Sequence, residues 1–257
     1  MCTTCGCGPE KEHSHDHEHP HHTHDQAHDH TPDHHSHKDG KRTVIAIEED
    51  ILAKNNRLAS FNRALFKDKG IFVLNLVSSP GSGKTTLLER TLRDLAERHR
   101  FAVIEGDQQT DNDARRIAAT GVAVRQINTG AGCHLDAHQV MHGTEGFDLD
   151  NMDILMIENV GNLVCPASFD LGEHHKVAVL SVTEGEDKPL KYPQMFRNST
   201  VMLLNKTDLL PHLDFDVEKC KEYARRINPA IIIFEISART GAGMEEWYRW
   251  LGEGVAR

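Results

Sequence analysis

The sequence predicts an α/β protein: a mostly parallel β-sheet covered by helices on both faces, preceded by a disordered polar arm. Three observations carry this expectation. From Ile71 onward, short β-branched runs alternate with helical patterns. Those runs are almost continuously apolar, as parallel strands buried on both faces must be. Residues 1 to 42, by contrast, are too polar to bury a core.

A chain of 257 residues can bury a substantial core as one large domain plus extensions. Its formal charge of −10 argues against nucleic acid as a partner, which calls for a basic patch. No apolar run approaches the roughly 20 residues that span a bilayer. The N-terminus carries Cys and His in place of an apolar signal core, so a cytoplasmic protein without membrane contact is expected. In that compartment the six cysteines stay reduced and serve for metal binding or burial.

The arm has two parts. Cys2, Cys5 and Cys7 place three thiols in a very short loop, and with the α-amine they form a compact S₃N set. That set suits square-planar Ni(II), whereas four-coordinate zinc asks for a more open tetrahedron. From His13 to His37 the chain carries 12 of its 19 histidines, interleaved mainly with Asp, Glu, Ser, Thr and Pro. Neutral imidazoles at this density imply loose storage of several nickel or zinc ions. The expected division is an arm over 1–42, an amphipathic helix and connector over 43–70, and a catalytic domain over 71–257.

Between Asp50 and Lys69 the apolar positions Ile51, Leu52, Leu58, Phe61, Leu65 and Phe66 read as one face of a helix that Lys69-Gly70 ends. Strands are then expected at 71–77, 101–105, 124–127, 153–158, 176–182, 201–205 and 231–236. A last helix runs from Gly243 to about Val255, where Trp247 and Trp250 read as core. Cys220, inside another helical pattern, also reads as core.

The first strand, interrupted only by Asn75, runs into Ser78-Ser79-Pro80-Gly81-Ser82-Gly83-Lys84-Thr85-Thr86 and then a helix. Strand, Gly-rich turn and helix in that order form a phosphate-binding loop. The turn wraps its N–H groups round an anion and the helix points its positive end at the same place. Gly81, Ser82, Gly83, Lys84, Thr85 and Thr86 are the expected nucleotide contacts, with Lys84 on the β- and γ-phosphates and the Thr85 hydroxyl on Mg²⁺. The chain is thus read as a P-loop NTPase. Its one departure is Ser78, where the motif usually begins with Gly.

Asn205-Lys206-Thr207-Asp208 closes the sixth strand and resembles the guanine-reading tetrapeptide of GTPases. Asp208 would accept from the guanine N1–H and amino group, an arrangement that adenine cannot supply; Lys206 would lie along the ring. Ser237-Ala238-Arg239 follows the last strand and resembles the second base-contacting loop. The fourth strand ends in Glu158, with Gly161 three residues on. The acid reads as a Mg²⁺ contact and the glycine N–H as a γ-phosphate contact. Asp107, at the end of the second strand, is a further Mg²⁺-facing carboxylate and the best placed residue to position water, the alternative being a plain cap. Lys84, Asp107 and Glu158 are the catalytic candidates. No clear water-orienting Gln or arginine finger accompanies them, so slow turnover is expected.

Taken together these residues resemble the GTPase class of the signal-recognition, MinD and BioD proteins, and within it the metallochaperone GTPases that serve nickel enzymes. The carrying segments are Cys2 to Cys7, Glu105-Gly106-Asp107-Gln108-Gln109-Thr110, Gly132-Cys133-His134-Leu135-Asp136, Glu158 to Pro166 and Ser181 to Pro189. The likeness spans residues 1 to 7 and nearly all of 48 to 257. It implies GTP hydrolysis coupled to delivery of nickel into the large subunit of [NiFe] hydrogenase. It also implies homodimerisation and a small zinc-containing accessory chaperone of the HypA type. Two other readings are a nickel store with a vestigial GTPase domain and a GTPase that matures urease.

The resemblance lifts Cys133, His134 and Cys165 to a second nickel or zinc site; by itself a lone Cys is more often core. Cys133 is expected at a helix start, where a thiolate is favoured. Because Cys165 lies four residues beyond Gly161, movement of Gly161 to a γ-phosphate would carry Cys165 with it. A fourth ligand would be water or a residue of a second subunit. His138, His142, His174, His175 and His212 read as ordinary surface or helix residues.

Overall fold

The computed structural model describes residues 38–108 and 111–256, with side chains described from residue 48 onward. Cys2, Cys5, Cys7 and the histidine tract lie outside the described residues. The chain runs α1 (Lys38–Asp68), β1 (Phe72–Ser78), α2 (Lys84–Leu95), β2 (Phe101–Asp107), α3 (Asn112–Ala118), β3 (Ala123–Asn128) and α4 (Ala137–Gly143). It continues through β4 (Ile154–Glu158), β5 (His175–Ser181), α5 (Lys188–Lys191), α6 (Pro193–Asn198), β6 (Val201–Asn205), α7 (Val217–Ile227), β7 (Ile232–Glu235) and α8 (Met244–Val255). All seven expected strands form. They make one sheet in the order β3-β2-β4-β1-β5-β6-β7, and every pairing is parallel.

Alternation along β1 assigns the two faces. Phe72, Leu74 and Leu76 pack with Leu87, Leu88, Leu92 and Leu95 of α2, Ile117 of α3, and Trp247, Tyr248 and Leu251 of α8. Each fully buried leucine is worth roughly 2 kcal/mol. Ile71 and Val73 meet Phe66 of α1 and Val140 of α4 on the opposite side. Val77 meets Met195 and Phe196 of α6 and Cys220 and Ala224 of α7 there. Trp247 is core, and Trp250 stacks on it at a ring separation of 5.3 Å. Burial also pushes the Cys220 thiol up to about 12. The carboxyl ends of the central strands β4, β1, β5 and β6 share one rim, where chain direction along the sheet reverses and open α/β sheets bind ligands.

Helix α1 departs from its reading. It begins at Lys38, well before Asp50. It ends as expected, in a Schellman turn: the Ile71 N–H donates to the Phe66 carbonyl at 2.9 Å and the Gly70 N–H to that of Lys67 at 3.2 Å. The buried stripe, however, is Asn55, Ala59, Asn62 and Phe66, while Ile51 is 51% and Phe61 70% exposed. Of the six apolar positions, Leu52, Leu58, Leu65 and Phe66 do lie on the docked side, where two asparagines join them, and only Ile51 and Phe61 turn outward. No helix among the described residues is long and apolar enough to cross a membrane.

Candidate functional site

The phosphate loop hangs between β1 and α2. Gly81 and Gly83 adopt φ of 76° and 94°, left-handed values that L side chains rarely take. A β-carbon at Gly83 would stand 2.7 Å from the Asn205 amide nitrogen, so glycine is required there twice over. Ser78 needs no such freedom. It closes β1 at negative φ, and its hydroxyl donates to the Ser79 carbonyl at 2.7 Å. The departure from the usual first glycine is thereby explained. Thr86 is exposed, and its hydroxyl accepts from Arg116 of α3 at 3.1 Å.

The segments at 205–208 and 237–239, which the sequence marks as candidate base readers, converge on this loop. The Asn205 amide donates to the Ser82 carbonyl at 3.0 Å while its oxygen accepts from the Ala238 N–H at 3.1 Å. Lys206 sits at φ 64° and donates from Nζ to the Gly81 carbonyl at 2.6 Å. Ser237 Oγ donates to Asp208 Oδ1 at 2.6 Å and accepts from the Thr240 N–H at 3.1 Å. The Asp208 carboxylate is therefore held in one orientation by the second loop. Ala238 is buried and Arg239 exposed.

Beside the helix start, Glu158 Oε1 accepts from the Thr85 hydroxyl at 2.7 Å and lies 3.6 Å from Lys84 Nζ. Burial raises the pKa of Glu158, and Lys84 and Thr85 oppose the rise. The register of β2 on β4 sets Glu105 opposite Glu158. Glu105 is also buried, and its pKa is pushed up to about 8 by that burial and then by the charges of Glu158, Asp107 and Asp113. The sequence reading passed over Glu105 as the last residue of a strand. An acid at the end of an apolar run was the available signal, but its partner across the sheet is fixed only by strand register. Asp107 is half-buried at the rim and accepts from the Gln108 N–H.

Among the described residues, Ser82 Oγ, Glu105 Oε2 and Glu158 Oε2 are buried side-chain atoms with no hydrogen-bond partner. Oxygen atoms left in this state beside Lys84 and Thr85 are a donor set that fits a hard divalent cation and a polyphosphate. Gly161 lies against the same loop. A β-carbon there would stand 3.2 Å from the nitrogen, Cα and Cγ of Pro80.

On the face of the sheet opposite α2, Cys133, His134 and Cys165 come together with their ligand atoms all within 4.8 Å of one another. Cys133 Sγ is 3.6 Å from His134 Nδ1, and both thiols are buried. Burial lowers the pKa of His134, Asp136 opposing and Lys176 adding to the fall, so the ring is neutral and able to ligate at pH 7. The ring packs on Phe169 at 3.9 Å between centroids. Two soft sulfurs and an imidazole suit nickel or zinc. Cys133 does not start a helix. Asp136 and Gln139 form a reciprocal capping box that begins α4 at Ala137 instead.

Buried polar side chains hold the two ligand loops. Lys176 Nζ donates to the carbonyls of Pro166, Ala167 and Phe169 at 2.8, 3.2 and 2.9 Å. Its ion partner Glu173, 3.8 Å away, accepts from the Asn75 amide at 3.1 Å. Asn75 accepts from Asn159 at 3.2 Å, and Asn159 accepts from the Leu135 N–H at 3.0 Å. The asparagine that interrupts β1 thus links the Cys165 loop to the His134 loop. From α1, Asn62 donates to the carbonyls of Ala137 and Leu171 at 2.8 and 3.0 Å. Asn55 accepts from the Ala137 N–H at 2.9 Å and donates to the Asp170 carbonyl at 2.8 Å. The helix that joins the arm to the domain therefore clamps both loops.

Comparison with known proteins places the chain in a family. Residues 72–235 match the CobW/HypB/UreG nucleotide-binding domain family. The hydrogenase maturation factor HypB of Azotobacter vinelandii is 66% identical over 208 residues, covering 81% of this chain and 69% of that protein. HypB of Escherichia coli K12 is 63% identical over 211 residues, covering 82% and 73%. The crystal structure of HypB from Helicobacter pylori in complex with nickel is 39% identical, with a TM-score of 0.75 over 79% of this chain and 95% of that one. HypB from Archaeoglobus fulgidus is 40% identical, with a TM-score of 0.74 over 79% and 99%.

Proposed function

The chain belongs to the CobW/HypB/UreG family and, within it, to the HypB hydrogenase maturation factors, and from that premise we propose that it is a GTP-hydrolysing nickel metallochaperone. Its cargo is Ni(II), destined for the large subunit of [NiFe] hydrogenase, and its partners are a second copy of itself and a HypA-type accessory chaperone. The arm thiols Cys2, Cys5 and Cys7 hold nickel tightly. Cys133, His134 and Cys165 hold nickel or zinc in a site that responds to nucleotide. Reduced thiols at both places suit a cytoplasmic setting.

The observation that carries this reading is the shared loop: Gly161 touches the phosphate loop at Pro80 while Cys165, four residues on, closes the metal cluster. Lys84, the loop amides and the positive end of α2 stabilise the charge of the transferring phosphoryl group, so catalysis rests mainly on positioning. Thr85, Asp107 and Glu158 would hold Mg²⁺, which would supply charge neutralisation for the transferring phosphoryl group when bound. Asp208, oriented by Ser237, selects guanine. A γ-phosphate that draws in the Gly161 N–H shifts the backbone toward Cys165 and alters the ligand spacing.

Nickel transfer to an apo acceptor protein tests the proposal. Release should be faster with GTP than with GDP, and Lys84→Ala should abolish that difference while nickel remains on the arm cysteines. Equal release with both nucleotides would refute it.

A further inference from the structure

Strand β2 carries Phe101, Val103, Glu105 and Asp107 on one face, because side chains two apart in a strand point the same way. Phe101 and Val103 pack in the cluster built on α2. The next position toward the rim, Glu105, is therefore aimed beneath the start of α2, level with Glu158 across the ladder. It is 2% exposed, and its Oε2 has no hydrogen-bond partner. Glu158 Oε2, on the adjoining strand, is in the same state. We propose that Glu105 is a positioning residue for Mg²⁺ at the nucleotide, its carboxylate accepting from water on the ion and setting how strongly the ion tightens nucleotide binding. This role rests on the GTPase reading and deepens it, since the loop, the base readers and the other acids leave Glu105 without a task.

A buried oxygen without a donor is costly, and β2 has no need of one: an apolar residue would continue the run that Phe101 begins. Such an oxygen marks a place where an ion or its water belongs. Charge points the same way. Glu105 feels the carboxylates of Glu158, Asp107 and Asp113, with Lys84 opposing them. Lys84 lies 3.6 Å from Glu158 Oε1, and a bound polyphosphate draws on the same ammonium. Nucleotide therefore adds negative charge to a group of acids whose nearby cation is already engaged, and a divalent ion restores the balance. Mg²⁺ keeps several of its waters and takes few protein carboxylates directly. Those waters need acceptors, and Glu105 stands beside Glu158 with an oxygen to offer.

The test uses the full chain, with a fluorescent GDP analogue as probe and Mg²⁺ as the varied component. Imidazoles and thiolates are poor ligands for this hard cation, so the arm and the Cys133 cluster stay out of the measurement. Glu105→Gln should raise the Mg²⁺ concentration that gives half of the tightening by about tenfold or more. Glu105→Met should raise it at least as far, and it serves where the Gln variant fails to fold. Glu105→Asp keeps the carboxylate and should recover part of the loss. With Mg²⁺ chelated, the Gln and Met variants should bind GDP as tightly as the parent or more tightly, since no additional anion faces the phosphates. A Mg²⁺ midpoint within about twofold of the parent's in the folded variants would overturn the proposal. Equal loss of GDP affinity with and without Mg²⁺ would overturn it too, because that marks a purely structural role. If GDP binding by the parent ignored Mg²⁺, the GTPase reading would fall as well; ordinary Mg²⁺ dependence in the parent with an unshifted midpoint in the variants removes Glu105 alone.

Discussion

Gly161 stands against Pro80 so closely that a β-carbon would come within 3.2 Å of three proline atoms, two of them backbone. The loop after β4 therefore rests on the phosphate loop, and the same loop carries Cys165 to Cys133 and His134 four residues later. The two sites are joined by one short stretch of chain, with Asn159 pinned at its start and Pro166 at its end.

Gly161→Ala forces this contact open by a few tenths of an ångström. GTP turnover should fall about tenfold or more, because small misplacements at the reacting phosphate are costly. GDP affinity should stay within about threefold, since the phosphate loop itself is untouched. Single-turnover hydrolysis and GDP titration separate the two effects.

Asp208→Asn keeps the size of the side chain but replaces an acceptor-only group with one acceptor and one donor. Guanine offers two donors to that position, whereas xanthine offers one donor and one carbonyl. GTP affinity should drop about 100-fold or more and xanthosine triphosphate should become the better ligand. A competition titration between the two nucleotides reads the exchange directly.

Lys176→Met removes the donor that holds three carbonyls beneath Cys165 and strands Glu173 in the interior. Breaking a buried pair costs about 3 kcal/mol, so the melting temperature should fall. Nickel affinity at the Cys133, His134 and Cys165 cluster should fall with it, while GTP binding at 20 °C or below (about, chosen to keep the fold intact) should persist. Adding Glu173→Gln to the variant should restore part of the stability.

The sheet was legible because each strand buried on both sides is an apolar run, and the glycine-rich turn was legible because its spacing is local. Asn75 looked like an interruption of β1, yet it is the hinge of the polar chain from Glu173 to Asn159. A buried asparagine announces that something needs it, but not what. Asn55 and Asn62 were hidden for the reverse reason: polar residues share the docked side of α1 with Leu52, Leu58, Leu65 and Phe66, while the apolar Ile51 and Phe61 face outward. Glu105 was missed because its opposition to Glu158 exists only in strand register.

The central claim is that the bound nucleotide sets how firmly the Cys133, His134 and Cys165 cluster grips its ion. The most direct measurement uses the full chain with Cys2, Cys5 and Cys7 changed to Ser and follows the thiolate-to-nickel charge-transfer absorption. Only the remaining cysteines produce that band, so the histidine tract stays silent in it. Nickel affinity should differ at least about fivefold between GDP and a non-hydrolysable GTP analogue, the lower end of ordinary site-to-site coupling. Identical affinity with the two nucleotides would contradict the account.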